Sequence, residues 1–298
     1  MIQPPYLKPG NKVAITGVAR KLSKADVQNG IDALESHGFV PIVSKTIGVE
    51  HNIFSGNDEL RFTELQGYLN DPEIKAVWLA RGGYGTIRIL EKIDWTGFKV
   101  NPKWLIGFSD ITNLLAKAND LGFASLHGPM PKTIDYNFEE DVSANLLFQY
   151  LKGAEPKYQW KTSEACHSGN IKAEIVGGNL ATLSHLYSSL NRDFFDHKIL
   201  FIEEVDEYLY AIDRMLRAMK ISGRFNRLNG VIVGDFSGIK DNDDPFGESI
   251  QQIVKNVFGD LDIPIAFGLK AGHENTNWPL VLGKSYRLKS QNGTWVLK

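Results

Sequence analysis

Trp104-Leu105-Ile106-Gly107-Phe108-Ser109-Asp110-Ile111-Thr112-Asn113-Leu114-Leu115 runs from unbroken apolar residues into a small hydroxyl residue and then straight into a helical pattern. The change of period predicts a strand ending at Phe108 and a helix beginning at Asp110, with Ser109 on the corner between them. Such a corner lifts a side chain above the carboxyl edge of a sheet, beside the unpaired N–H groups of a new helix. Two readings of Ser109 stay open on this segment alone. It is either an N-cap that satisfies the first helical turn, or a nucleophile whose oxyanion would meet those N–H groups. A G-x-S-x-G elbow is half present: Gly107 precedes the serine, and Ile111 stands where the second glycine would be.

Outward from this corner, β-rich runs alternate with amphipathic helical patterns, as in parallel strands joined by crossover helices. Strands are expected at 12–17, 40–44, 76–80, 104–108 and 124–126, and helices at 23–37, 58–69, 86–92, 110–121 and 139–151. Ser55, ahead of Gly56-Asn57-Asp58, marks the start of the second helix. An uneven polar segment follows Gly153, and the domain boundary is placed there.

The second half opens with a strand at 171–176, turns through Gly177-Gly178 and enters a helix capped by Asn179. Strands at 198–203, 230–233 and 263–267 alternate with helices at 208–221 and 248–258. The tail, at 280–282, 286–289 and 294–297, alternates like antiparallel strands.

Composition limits the chemistry. The chain has 298 residues, 43% of them hydrophobic, enough for one large domain or two ordinary ones. A formal charge of −2 with mixed signs gives no basic stripe for a phosphate backbone, so nucleic acid is not an expected partner. No apolar stretch approaches membrane-spanning length, and residues 1–10 lack the pattern of a signal peptide. Cys166 is the single cysteine, which excludes an internal disulfide and a cysteine-rich zinc site and favours a reducing cytoplasm. There is no H-E-x-x-H pair, and Asp241-Asn242-Asp243-Asp244 loses calcium-loop geometry at Pro245 and Phe246, so no metal is expected.

Three further segments carry candidate chemistry. Arg81-Gly82-Gly83-Tyr84-Gly85 follows a strand and is rich enough in glycine for its backbone to approach a ligand, although a tight turn reads the same way. It has neither a dinucleotide fingerprint nor a Walker ending. Glu203 directly follows an apolar run, nearest the interior of the acids Glu203-Glu204-Val205-Asp206-Glu207, where a carboxylate can orient a histidine. His273, in Gly272-His273-Glu274 after a strand, has the best context of the seven histidines; His127, at another strand end, is its chief competitor.

Taken together, Arg81-Gly82-Gly83-Tyr84-Gly85, Gly107-Phe108-Ser109-Asp110-Ile111-Thr112, His127-Gly128-Pro129, Gly177-Gly178-Asn179-Leu180, Phe201-Ile202-Glu203-Glu204 and Gly272-His273 resemble the LD-carboxypeptidase family of serine peptidases, in order along nearly the whole chain. The resemblance implies a Ser-His-Glu triad: Ser109 as nucleophile, His273 as general base and then acid, Glu203 as the group that orients the imidazole. By the same analogy the backbone N–H groups of Gly83 and Asp110 hold the oxyanion. Arg81, the nearest cation in sequence to that loop, is a candidate for the substrate carboxylate, and Tyr84 and His127 are further candidate substrate contacts. The implied reaction is release of D-alanine from murein tetrapeptide in cell-wall recycling, by a cytoplasmic homodimer without cofactor or metal. A related branch cleaves microcin-type peptidyl adenylates. A non-catalytic module, with Ser109 only a cap, is the reading of another class.

The expected fold is therefore α/β: a flavodoxin-like parallel-sheet domain over 1–153 carrying Ser109, a linker over 154–169, and a mixed α/β domain with a β-rich tail over 170–298 carrying Glu203 and His273. The triad would be completed between the domains.

Overall fold

A computed structural model describes residues 1–162, 168–291 and 293–298; Cys166 and His167, within the expected linker, lie outside the described residues. The chain forms two compact units, one of residues 1–155 with 278–281, the other of 156–277 with 282–298.

In the first unit, β1 (Lys12–Thr16), β2 (Val40–Val43), β3 (Ile74–Leu79), β4 (Trp104–Gly107) and β5 (Ser125–His127) pair in parallel in the order β2-β1-β3-β4-β5. This is the flavodoxin-like strand order, which puts the switch point between the carboxyl ends of β1 and β3. Every residue of β4 and all but one of β3 are buried, as central strands covered on both faces require, whereas edge strand β2 has no fully buried residue.

The connecting helices are α1 (Gln28–Ser36), α2 (Asp58–Asn70), α3 (Ile87–Leu90), α4 (Thr96–Val100), α5 (Thr112–Asp120) and α6 (Val142–Leu151). Their ends follow side-chain caps. Asn57, not Ser55, starts α2 by accepting from Leu60 N, while the Ser55 hydroxyl donates to the Arg20 carbonyl. Asp141 accepts from the N–H groups of Ser143 and Ala144, so α6 begins three residues later than periodicity alone suggests. The short α4 was not expected; Thr96 N and Oγ1 both donate to Asp94, which anchors its start.

The second unit contains β6 (Tyr158–Lys161), β7 (Asn170–Asn179), α7 (Leu180–Leu186), β8 (Ile199–Val205), α8 (Leu209–Ile221), β9 (Gly230–Ser237), α9 (Ile250–Phe258) and β10 (Ile265–Phe267). After β11 (Leu280–Leu282), the tail strands β12 (Ser285–Gln291) and β13 (Thr294–Leu297) complete a seven-stranded sheet in the order β10-β9-β8-β7-β12-β13-β6. Strands β7 to β10 are parallel, and β12 and β13 pair antiparallel, giving the expected mixed α/β architecture with a β-rich tail. Central β8 is buried over six of its seven residues, while β12 largely alternates exposed and buried and β13 half-buried and buried.

Three placements differ from the sequence expectations. Gly177 and Gly178 do not turn; they continue β7 to Asn179 with φ of 139° and 135°. A Cβ at Gly177 would collide with the Phe201 carbonyl oxygen, so glycine there serves close approach of β8 and not reversal of the chain. Asn179 does cap α7, accepting from Thr182 N. Residues 158–161, read as linker, alternate buried and exposed and pair with β13. Finally, β11 joins β5 at the edge of the first sheet although it lies within the second half of the chain. Its three buried residues, Leu280-Val281-Leu282, fit either sheet by pattern alone.

Candidate active site

In the first unit, Phe108 continues β4 in extended backbone and Ser109 then takes φ of +62°, left-handed for a residue with a Cβ. A single 3₁₀ turn over Ser109–Ile111 leads into α5. Neither the turn nor α5 has a side-chain cap, so the N-cap role considered for Ser109 is not what the geometry gives. A strained, half-buried hydroxyl residue between a strand and a helix start is the geometry of a nucleophile elbow.

The glycine loop lies directly against this corner. A Cβ at Gly82 would sit 3.0 Å from Ser109 Cβ, 3.1 Å from its Oγ and 3.4 Å from the Asp110 nitrogen, so only glycine lets the two segments approach this closely. Asp110 ties them together through its carboxylate: Oδ2 accepts from Thr86 N at 2.9 Å and from Thr86 Oγ1 at 2.7 Å, and Oδ1 from Asn113 Nδ2 at 3.3 Å. Burial raises the Asp110 pKa, while the Thr86 hydrogen bonds and the Arg61 charge oppose that rise. Fully buried Arg61 holds the far side of the loop, donating to the carbonyls of Val18 and Gly85 and pairing with Asp58. The tethering by Asp110 and Thr86 was not foreseen, because the residues are far apart in sequence and each alone looks like a turn residue.

Of the candidate substrate contacts in this unit, Arg81 is half-buried and donates to the Lys21 carbonyl at 2.9 Å. Tyr84 is 48% exposed, with its ring 6.1 Å from that of Phe54. His127 has no exposed surface; its ring packs edge-on against Phe108 at 5.8 Å. Its ring is therefore not offered to solvent.

In the second unit, Glu203 lies within β8 and not beyond its end, at the register irregularity between Ile202 and Glu204. Its side chain has no exposed surface, and Oε2 lies 2.7 Å from Nδ1 of His273, while Oε1 has no hydrogen-bond partner among the described residues. The turn carrying His273 is built for this approach. Gly272 has φ of +148°, its N–H donates to Asn277 Oδ1 at 3.1 Å, and a Cβ there would lie 2.9 Å from Asp235 Cβ and 3.3 Å from Glu203 Oε2.

Burial pulls the His273 pKa down, but the hydrogen bond and charge of Glu203, helped by Glu204 and Asp206, outweigh it and leave the pKa above the ordinary histidine value. A neutral imidazole donating Nδ1–H to Glu203 carries its lone pair on Nε2, which is the arrangement of a general base. Neighbouring acids complete the environment. Glu204 accepts from Asn179 Nδ2, Ala181 N and Val205 N, and burial raises its pKa. Asp235, which sequence reasoning passed over, is pushed up to about 6 by burial and by the charges of Glu274 and Glu203.

Comparison with known proteins fits both units. Residues 13–128 match the LD-carboxypeptidase N-terminal domain, and residues 172–288 match the LD-carboxypeptidase C-terminal domain. A Synechocystis sp. protein carrying a carboxypeptidase name is 31% identical over 98% of this chain and 96% of its own. The microcin C7 self-immunity protein of Escherichia coli is 24% identical over 88% of this chain and 85% of its own. The crystal structure of muramoyltetrapeptide carboxypeptidase from Oxalobacter formigenes superposes with a TM-score of 0.85 at 26% identity, covering 95% of this chain and 98% of that one. With both halves matched in order and a relative above 30% identity aligned from end to end, this chain belongs to the LD-carboxypeptidase family.

Proposed function

We propose that the protein is a cytoplasmic serine carboxypeptidase that hydrolyses an L,D-peptide bond and releases terminal D-alanine from murein tetrapeptide, in cell-wall recycling. The observation that carries this assignment is the buried 2.7 Å contact between His273 Nδ1 and Glu203 Oε2, which fixes an imidazole in the tautomer a general base needs. The positive φ of Ser109 at a strand-to-helix corner supports its role as nucleophile. Names carried by relatives favour a murein peptide as substrate.

In this mechanism Ser109 Oγ attacks the carbonyl carbon of the penultimate L-configured residue as His273 Nε2 takes the hydroxyl proton. The backbone N–H groups of Gly83 and Asp110 hold the oxyanion of the tetrahedral intermediate, each worth about 3 kcal/mol at the transition state. Protonated His273 then gives its proton to the leaving D-alanine amine. Water, deprotonated by the same imidazole, attacks the acyl-enzyme; the intermediate collapses, Ser109 recovers its proton and the shortened peptide leaves. Glu203 accepts the Nδ1 hydrogen bond throughout and stabilises the imidazolium. Arg81 and Tyr84 are the proposed substrate contacts, and a homodimer is the proposed assembly.

Purified protein offered murein tri-, tetra- and pentapeptides, and separately an aminoacyl sulfamoyl adenylate, should release D-alanine from the tetrapeptide in preference to the others. Preferential cleavage of the adenylate would instead favour the microcin branch, and turnover of neither would favour a binding module.

A further inference from the structure

We propose that Arg20 acts with Arg81 as a two-arginine clamp for the terminal carboxylate of the substrate. The proposal deepens the reading of Ser109 as nucleophile and rests on it. An exopeptidase that removes one residue must hold a carboxylate separated from the attacked carbonyl carbon by only three bonds, a path of about 4 Å. The group that recognises it must stand beside the nucleophile.

The loop 81–83 connects the two places. Gly82 packs on Ser109, and the next residue, Gly83, packs on Arg20: a Cβ at Gly83 would fall inside the Arg20 side chain at Cδ and Cγ. Gly83 has φ of +112°, so its glycine is required by backbone conformation as well as by the arginine stem lying over it. The Arg20 backbone is fixed on both sides, its N–H donating to the Gly82 carbonyl at 3.4 Å and its carbonyl accepting from Ser55 Oγ at 2.8 Å. Arg81 Nη1 reaches back to the Lys21 carbonyl at 2.9 Å, next to Arg20, so both cations lie along one short segment.

Neither guanidinium has a carboxylate partner among the described residues. Asp26, the acid whose charge acts on Arg81, is engaged by Lys132 and by Ser23. Burial and the neighbouring charge of Arg20 both disfavour the Arg81 cation, a strain that a bound anion would relieve. Arg20 is exposed and Arg81 is half-buried with one nitrogen committed, which leaves forked donors for a planar anion.

The test measures binding, so that it does not depend on turnover. In the Ser109→Ala background, affinity for murein tetrapeptide is measured by calorimetry against the same peptide with a C-terminal amide. The free acid should bind more tightly, and adding Arg20→Ala should weaken it by about ten- to a hundredfold, the worth of a charge-assisted hydrogen bond, while affinity for the amide changes little. Arg20→Lys should recover part of the loss. Equal weakening of acid and amide, or an undiminished preference for the acid in the Arg20→Ala variant, overturns the clamp. Labelling of wild-type Ser109 by a serine-reactive phosphonate is scored separately; its failure sinks the nucleophile and leaves the binding result to judge the clamp on its own.

Discussion

Nδ1 of His273 lies 2.7 Å from Oε2 of Glu203, a carboxylate with no exposed surface inside a strand buried over six of its seven residues. The contact gives the imidazole a fixed partner on Nδ1, and the hydrogen bond and charge of Glu203 raise the His273 pKa against the opposing effect of burial.

Glu203→Gln should therefore act on both the rate and the pH profile. The base must be neutral to accept a proton, so kcat/KM should rise with pH through the His273 pKa, which Glu203 holds above the ordinary value. Removing the negative charge lowers that pKa, moving the acid limb to lower pH, while kcat falls by about 10²- to 10⁴-fold as orientation is lost. A pH series of kcat/KM on tetrapeptide for the two proteins checks both; an unmoved acid limb contradicts the assignment.

Asp110 offers a prediction about positioning. Asp110→Ala would leave Thr86 N–H and its hydroxyl buried without the acceptor they now share, at a cost of about 1–3 kcal/mol in stability. Because the carboxylate joins the glycine loop to the serine corner, kcat should drop with KM little changed. Asp110→Asn, which keeps one acceptor oxygen for Thr86, should recover most of the stability and part of kcat. Thermal unfolding and steady-state kinetics on the two variants decide the matter; a pure KM effect would contradict the tether.

Asp235 predicts a pH dependence of stability with a definite sign. Its pKa is raised from the ordinary 3.8 to about 6 in the folded chain, chiefly by burial. The folded state thus holds a proton that the unfolded state releases, and stability from this group is lost as pH rises between those values. With the side chain partly solvated, about 1–2 kcal/mol is at stake. Asp235→Asn should raise Tm at pH 7.5 and have little effect at pH 3.5. Equal shifts at both would mean that the carboxylate does not carry this strain.

Gly82→Ala tests the close approach of loop and nucleophile. The added methyl would meet Ser109 Cβ at 3.0 Å and Oγ at 3.1 Å, forcing the corner or the loop aside by a few tenths of an ångström. Activity should fall by up to about a hundredfold, the cost of roughly 1 Å of displacement at a reacting centre, with Tm reduced only modestly. Wild-type turnover would show that the loop does not need to touch the corner.

The serine corner was legible because an abrupt change from apolar run to helical period marks both sides of Ser109, and parallel pairing in the first unit followed from alternation of β and α patterns. Glu203 was legible from the apolar run preceding it, though β8 continues past it to Val205. What pattern could not supply was long-range proximity. Gly177 looks like a turn until Phe201 is seen against it, and Leu280–Leu282 looks equally suited to either sheet. Asp110 and Thr86 meet, and Arg20 lies over Gly83, only because β1, β3 and β4 bring their carboxyl ends to one edge. Pattern also could not supply burial: His127 at its strand end beside Gly-Pro has no exposed surface, and its ring lies against Phe108.

The identity of Ser109 as the nucleophile is tested most directly by treating the protein with a serine-reactive phosphonate and locating the adduct by mass spectrometry. One adduct on Ser109 is expected, formed at least about a hundredfold more slowly in a His273→Ala variant that retains the wild-type Tm. An adduct on another residue, no adduct at all, or labelling of Ser109 that is indifferent to His273 would contradict the account.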